Sequence, residues 1–343
     1  MNTLIQFLRL VRFGNLVVIA LTMGIIQVFI AAHGNSLVNH TYDHLYLKDL
    51  SFAEGLFIKY NIHLDFLLAV LSVVFITAAG NVINDYFDVK ADRVNKPERL
   101  IIGKYIKRRW AIMFNWLFNI AGLGIAIYLS AIKQNWWIAL LAFLIINLLW
   151  FYSALYKRKL LIGNVLVAFM VAMVPIYVLI FNLPLKSYAI ENGLNGQVGG
   201  WFVIEVVGIV AIIAFFMNII REIIKDIADI RGDLHLSAKT IPIVLGIKKT
   251  KIILLFIATP LLALMIFYLY HIQHYQWVNL QKADFLNATS LTLFTTLISL
   301  SISFVIAAFT ILLSVNRRKI YLLSSNLLKL AMIFGIVSPL LLL

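Results

Sequence analysis

Residues 84 to 92 read Asn84-Asp85-Tyr86-Phe87-Asp88-Val89-Lys90-Ala91-Asp92, and they follow an apolar run from Phe66 to Ala79 that carries no charge. If one helix continues from the apolar run through the acids, Asn84, Asp88 and Asp92 fall at i, i+4 and i+8. This spacing places them on one helical face over about 12 Å. Carboxylates crowded on one face repel each other, so the pattern indicates a bound divalent cation.

A second acidic segment, from Arg221 to Asp233, follows the uncharged run from Val206 to Ile220. Within it, Asp226, Asp229 and Asp233 fall at i, i+3 and i+7, again on one face. Two acidic segments, each at the end of an apolar helix, suggest two halves of one site. Carboxylates and amide oxygens are typical ligands of Mg²⁺. The predicted Mg²⁺ ligands are Asn84, Asp85, Asp88, Asp92, Asp226, Asp229 and Asp233, with Asp88 and Asp229 at the centres of the two clusters and expected to be essential for catalysis.

The composition indicates a membrane protein. Of the 343 residues, 62% are hydrophobic and only 13% are charged, and the mean hydropathy is +0.95. These values are typical of multi-span helical membrane proteins. We therefore predict an all-α polytopic fold with about nine transmembrane helices around a central cavity open to the cytoplasmic side, forming a single domain over residues 1–343. The chain has no cysteine, which excludes disulfides and thiolate metal sites.

The positive charges predict the orientation in the membrane. With the N-terminus in the cytoplasm, 23 of the 29 lysines and arginines fall on the cytoplasmic side and five on the other. This bias agrees with the positive-inside rule and places both acidic segments at the cytoplasmic face of the cell (inner) membrane. The net charge of +14 is thus an orientation signal rather than evidence for a nucleic-acid partner. No obligate protein partner is evident. The first apolar run has the basic flank of a signal peptide, but the following runs favour a transmembrane span.

The site chemistry favours a diphosphate ligand. Mg²⁺ bridges carboxylates to phosphate oxygens, and a diphosphate at the surface of an apolar bundle most simply belongs to an isoprenyl chain in the lipid. Four basic residues near the acids are candidates for clasping the remaining oxygens. They are Arg99, Lys157, Lys225 and Lys239. Lys157 equally suits a positive-inside anchor, and Arg99 and Lys239 equally suit ordinary loop charges.

The same segments resemble the motifs of a known family. The stretch from Asn84 to Arg99 is similar to the first motif of the UbiA superfamily of intramembrane prenyltransferases, and Asp229 with Asp233 resembles its second aspartate motif. The segment from Tyr152 to Lys157, followed by Gly163 and Asn164, resembles the family's tyrosine-lysine segment. The opening Arg12-Phe13-Gly14-Asn15 is similar to the family's Arg-Pro-x-Asn. The sequence departs from the family pattern at Phe13, Leu100 and Ser237, and none of these positions is a predicted metal ligand.

The resemblance implies Mg²⁺-dependent transfer of an isoprenyl chain from a prenyl diphosphate to an acceptor. It implies catalytic roles for Tyr152 and Lys157 and substrate-binding roles for Asn15 and Asn164. Tyr152 also suits an interfacial aromatic belt, and Asn164 also suits helix packing. The second acidic segment looks most like the branch that prenylates geranylgeranylglyceryl phosphate in ether-lipid synthesis. An aromatic quinone precursor of the 4-hydroxybenzoate or dihydroxynaphthoate type is the alternative acceptor.

A carboxylate-lined cation or proton transporter is the alternative from another functional class, because acids within membrane segments mark such pathways. In this sequence the acids cluster at one face rather than through the depth of the bilayer, which favours the transferase.

Overall fold

The structure is a computed structural model that describes residues 3–33, 63–95, 98, 100–157, 159–183, 198–235, 238–280 and 288–342. In these ranges the chain is helical and contains no β-strand. The helices are α1 (Thr3–Leu10), α2 (Phe13–His33), α3 (Leu64–Asn95), α4 (Arg108–Lys133), α5 (Trp137–Phe151), a π-helix (Tyr152–Tyr156), α6 (Ile162–Asn182), α7 (Val198–His235), α8 (Ile241–Leu280), α9 (Ala288–Ser314), α10 (Arg318–Val337) and a 3-10 helix (Ser338–Leu342).

Nine of the described helices, α2 to α10, are long and apolar enough to cross a membrane. Many of their large apolar side chains are exposed, including Trp116, Ile120 and Phe256, whose exposed fractions are 58%, 66% and 81%. Exposed apolar surface on this scale requires lipid rather than water as the surrounding solvent. The prediction of an all-α integral membrane protein is therefore confirmed.

Helices α3 and α7 continue well beyond their apolar parts. Apolar composition alone places the corresponding spans at Asp65 to Phe87 and Trp201 to Ile224, whereas α3 ends at Asn95 and α7 at His235. Polar residues satisfy the backbone hydrogen bonds of a helix as well as apolar ones do, so hydropathy alone does not mark where a helix ends. Both acidic segments consequently lie on continuous helix, as the spacing of the acids requires.

The chain divides into two compact units. One comprises Met1–Ala154 and Val174–Gly208, and the other Leu155–Met173 and Ile209–Leu343. In the first unit, Leu10 and Val11 pack with Val82 and Val89 of α3 and with Ile102 of the following loop. In the second unit, a larger core joins α6 to α10, and its buried members include Ile223, Ile227, Leu254, Leu312 and Tyr321. Each acidic helix is thus anchored by apolar residues interleaved with its acids.

A close approach between α3 and α4 fixes the first acidic helix within its unit. The Ser72 hydroxyl donates a hydrogen bond to the Gly122 carbonyl at 2.7 Å, and the Asn115 amide donates to the Ala79 carbonyl at 3.0 Å. A Cβ at position 122 would lie 2.7 Å from a side-chain carbon of Ile76 and 3.0 Å from the Ser72 carbonyl oxygen. Only glycine therefore allows this contact. Small residues at such crossings are typical of membrane helices, because association there depends on close packing and hydrogen bonds.

We expect Gly122→Ala to destabilise the protein by about 1–3 kcal/mol, because the added methyl group overpacks the crossing of α3 and α4. Gly124→Ala is the matched control, since a Cβ at position 124 meets no atom within 4 Å on the same helix. The measurement is the thermal melting temperature in detergent. Equal melting temperatures for the two variants would contradict the close approach.

Candidate active site

The first acidic motif lies on the C-terminal turns of α3. Asn84, Asp85, Asp88 and Asp92 all belong to this one helix, so the predicted alignment at i, i+4 and i+8 is present. Asp88 is buried, with an exposed fraction of 9%, and the other three residues are half-buried. The helix therefore presents a row of oxygen donors that is partly shielded from solvent.

The structure shows that Arg12 contacts this motif. Its guanidinium Nη2 donates to Asp85 Oδ1 at 2.7 Å, across 73 residues of sequence. Burial lowers the pKa of Arg12, but its electrostatic interactions with Asp85, Asp88 and Tyr152 and its hydrogen bond to Asp85 outweigh this effect, so the pKa is raised. The arginine remains charged, and Tyr152 and Asp88 lie within its electrostatic reach.

The backbone around Arg12 is built to place this side chain. Arg12 adopts a left-handed conformation with φ of 55°, which costs a residue with a side chain about 1 kcal/mol. The Asn81 amide donates to the Val11 carbonyl at 2.9 Å, one turn of α3 before Asp85. Burial of Leu10 and Val11 offsets the backbone cost. These contacts hold the junction of α1 and α2 against α3. In this position Arg12 reaches Asp85.

The second acidic motif lies on the C-terminal turns of α7, where each of three successive acids on one face has a distinct partner. Lys225 Nζ donates to Glu222 Oε1, the Asn164 amide donates to Asp226 Oδ2 at 2.8 Å, and Arg318 Nη2 donates to Asp229 Oδ1 at 3.0 Å. Asp233 follows one turn after Asp229 and is half-buried. Asp226 lies within electrostatic reach of Asp233, Glu222 and Lys225.

A tight turn delivers Asn164 to this face. A Cβ at Gly163 would lie 2.9 Å from the Tyr156 carbonyl oxygen and 3.2 Å from the Lys157 Cα, so the chain can return this closely only at glycine. Leu161 in the same turn has φ of 59°. The π-helix from Tyr152 to Tyr156 precedes it, and such irregular turns are frequent at functional sites. Asn164 is buried and bonded to an acid, so its role includes holding Asp226.

The remaining predicted catalytic and substrate-binding residues lie in different environments. Lys157 is half-buried and lies within electrostatic reach of Glu222. Lys225 contacts Glu222 on its own helix. Lys239 is exposed on the short loop before α8, and Asn15 is exposed in the first turn of α2. Arg99 lies outside the described residues.

Sequence reasoning did not select Arg12, Arg318 or Glu222. Arg12 is part of the quoted Arg-Phe-Gly-Asn segment, so a signal for it was present. Arg318 belongs to the basic run from Arg317 to Lys319, which served only as an orientation signal. Arg318 is 89 residues from Asp229, so no periodic pattern in the sequence connects the two, and only the structure shows their contact.

The donor set fits Mg²⁺. Every candidate ligand is a carboxylate or amide oxygen, as this hard cation prefers. Among the described residues, no three acidic or histidine side chains converge to form a metal-binding group. Mg²⁺ is usually held by one or two carboxylates together with substrate phosphates and waters. Acids spaced along a helix face suit this coordination better than a site built from protein ligands alone would. In the structure, Asp85 and Asp229 each contact an arginine guanidinium group.

The ion pairs at the two motifs are partly exposed. Arg12 and Arg318 have exposed side-chain fractions of 43% and 53%. Exposed pairs of this kind typically contribute about 0.2–1 kcal/mol, since water and salt screen them. These ion pairs neutralise the acids but hold their side chains only weakly. A cation that binds a carboxylate more strongly can therefore replace the arginine.

Comparison with known proteins agrees with the motifs. The sequence profile of the UbiA prenyltransferase family matches residues 50–280. Digeranylgeranylglyceryl phosphate synthase from Thermococcus gammatolerans is 36% identical over 172 residues, which are 50% of this chain and 54% of that protein. The chain thus aligns with about half the length of this curated relative.

Solved structures share the fold. A structure from a study of digeranylgeranylglyceryl phosphate synthase in membranes has a TM-score of 0.59 at 21% identity, covering 99% of this chain and 98% of that one. A UbiA homologue from Archaeoglobus fulgidus bound to DMAPP and Mg²⁺ has a TM-score of 0.51 at 15% identity, covering 97% of this chain and 99% of that one. The resemblance inferred from the sequence motifs is confirmed. Because the profile match extends over more than half of the chain, this protein belongs to the UbiA prenyltransferase family.

Proposed function

We propose that this protein transfers an isoprenyl chain from a prenyl diphosphate to a membrane-associated acceptor, with Mg²⁺ as its cofactor. The observation that carries the proposal is the pair of acidic helix ends, each with a cation held on an aspartate: Arg12 on Asp85 and Arg318 on Asp229. Sites of this composition suit a ligand that is itself anionic and brings cations with it. The related homologue that binds DMAPP and Mg²⁺ supports this interpretation.

In this proposal both motifs bind Mg²⁺. Asn84, Asp85, Asp88 and Asp92 from α3, with Asp226, Asp229 and Asp233 from α7, would hold Mg²⁺, which would neutralise the leaving diphosphate. Carbon–oxygen bond cleavage leaves the electron pair on the diphosphate and a positive charge on the allylic carbon. Basic side chains near the motifs, including Lys157 and Lys239, would stabilise the charge that develops on the diphosphate oxygens. The acceptor oxygen then bonds to the allylic carbon, and its proton passes to the released diphosphate or to water.

The acids are proposed to face the cytoplasm of the cell that makes the protein. Lys133 forms an ion pair with Asp65 at 3.5 Å, at the opposite end of α3 from the acidic motif. Arg108 at the start of α4 stacks over the Tyr86 ring at 5.2 Å, beside the motif. The excess of basic residues on the motif's side of the chain supports the cytoplasmic assignment.

Geranylgeranylglyceryl phosphate is the proposed acceptor. The Thermococcus relative, which is named for digeranylgeranylglyceryl phosphate synthesis, supports this choice. A phosphate-bearing acceptor also needs cations beyond those that serve the diphosphate. Arg108 is positioned beside the first motif, and Lys248 and Lys249 are exposed near the start of α8. An aromatic carboxylate acceptor would need only one such cation.

We expect Asp88→Ala and Asp229→Ala each to lower prenyl transfer about a hundredfold or more, because a lost metal ligand removes several kcal/mol of transition-state stabilisation. The measurement is the transfer of labelled geranylgeranyl diphosphate by purified protein, with Mg²⁺ and with a chelator. Asp65→Ala is the matched control, since Asp65 is an acid on the same helix, about 35 Å from Asp88 by helix geometry. Melting temperatures check that the variants are folded.

Near wild-type transfer by either aspartate variant would contradict the metal assignment. Ion flux through vesicles that contain the protein, with no transfer to any acceptor under any divalent cation, would instead support a transporter.

The acceptor is tested by a parallel screen with geranylgeranyl diphosphate as the donor. We expect prenylation of geranylgeranylglyceryl phosphate, and a rate at least about tenfold lower for 4-hydroxybenzoate and 1,4-dihydroxy-2-naphthoate, which lack the phosphate that the surplus cations would bind. Prenylation of an aromatic acceptor alone would exclude the ether-lipid assignment and leave the prenyl transfer proposal intact.

A further inference from the structure

Arg318 reaches the second acidic motif from a distant part of the chain. It is the first residue of α10, and its guanidinium Nη2 lies 3.0 Å from Asp229 Oδ1 on α7. Asp229 is the central acid of the motif. A cation that binds this carboxylate through Oδ1 would compete with Arg318.

The position of Arg318 is fixed by its own turn. The hydroxyl of Tyr321 donates to Asn316 Oδ1 at 2.9 Å, across the connection between α9 and α10. Tyr321 is buried, and Lys251 lies over its ring while donating to the Leu312 carbonyl. The hydroxyl of Ser324 donates to the Ala308 carbonyl, which ties the next turn of α10 to α9. The backbone at Arg318 is thus held, while its side chain remains about half exposed.

The three partners along this face differ in how readily they can be replaced. Asn164 is buried and uncharged, and Lys225 is a neighbour on the same helix as Glu222. Arg318 is a cation from another helix, and it is more exposed than Lys225. A long, half-exposed side chain can change rotamer at little cost, and a guanidinium matches phosphate oxygens as well as it matches a carboxylate.

We propose that Arg318 is a substrate-binding residue that alternates between two anions. It neutralises Asp229 when the metal is absent, and it moves to the diphosphate when a divalent cation takes its place on the carboxylate. The inference rests on the proposed function. It makes metal and diphosphate binding cooperative, because the diphosphate gives the displaced guanidinium a new partner.

The test measures two affinities of the full-length protein in detergent. Mn²⁺ serves as the metal probe, and its unbound fraction is followed by electron paramagnetic resonance; inorganic pyrophosphate serves as the diphosphate probe. We expect Arg318→Ala to bind Mn²⁺ about two- to fivefold more tightly when pyrophosphate is absent, since the competing ion pair is gone. With Mn²⁺ saturating, we expect pyrophosphate to bind about tenfold more weakly, since a charge-assisted hydrogen bond is lost.

Arg317→Ala is the matched control, because it removes the neighbouring positive charge from the same turn. It should leave both affinities within about twofold of wild type, since a single screened surface charge has a small effect. Arg318→Lys should fall between wild type and Arg318→Ala in both measurements. A purely structural role for Arg318 would change both affinities in the same direction, whereas the exchange predicts opposite directions.

The outcomes separate this inference from the proposed function. Wild-type protein that binds neither Mn²⁺ nor pyrophosphate would overturn both. Wild-type binding, with Arg318→Ala equal to Arg317→Ala in both affinities or weaker in both, would overturn the exchange alone. If Arg318→Ala does not melt cooperatively, Arg318→Gln is measured in its place, and the same two affinities decide.

Discussion

Repulsion between carboxylates at the ends of two membrane helices is the constraint on which the rest of the arrangement depends. Asp85, Asp88 and Asp92 lie within two turns of α3, and a similar set lies on α7. In both segments the acids outnumber the basic residues of the same helix. In each unit, an arginine from a distant helix junction meets an aspartate: Arg12 contacts Asp85 across 73 residues, and Arg318 contacts Asp229 across 89. The first and last membrane helices are thereby linked to the chemistry of the acids.

The apolar packing around the acids serves the same end. Val82 and Val89 flank the acids of α3 and are buried with Leu10 and Val11, and Ile223 and Ile227 do the same on α7. Burial of these side chains holds each acidic helix at a fixed rotation, and the rotation decides which face presents the carboxylates. Gly122 and Gly163 allow the backbone approaches that complete this positioning. Apolar contacts therefore set the geometry, and the polar contacts set the charge.

The sequence predicted the parts of this arrangement that depend on local pattern. Hydropathy identified nine spans, and the four-residue spacing of Asn84, Asp88 and Asp92 correctly indicated one continuous helical face. Hydropathy alone did not give the helix ends, because the polar turns after Phe87 and Ile224 remain helical in the structure. The break within α8 at Gly246, where φ is 77°, was not predicted either.

The arginine partners of the acids could not be predicted from the sequence pattern, for a different reason. Positive-inside bias and specific ion pairing leave the same signal in a sequence, namely arginine near a membrane helix end. Arg317 and Arg318 are adjacent and chemically identical, yet Arg318 contacts Asp229 because of where the turn fixed by Tyr321 and Asn316 directs it. Charge counting yields the side of the membrane, and only tertiary structure yields the partner.

The difference between the amide and arginine partners suggests how such a site can keep a fixed geometry and still be able to bind a cation. A buried hydrogen bond, such as that of Asn164 to Asp226, is costly to leave unmade, so it holds a carboxylate in place whatever else binds. A half-exposed ion pair, such as those of Asp85 and Asp229, is weak and screened, so it neutralises a carboxylate only until a stronger cation arrives. A face that carried only buried partners would be rigid but closed to metal. A face that carried only exposed ones would bind metal but lack a fixed geometry. The acids along α7 have one partner of each kind, a buried amide on Asp226 and a half-exposed arginine on Asp229.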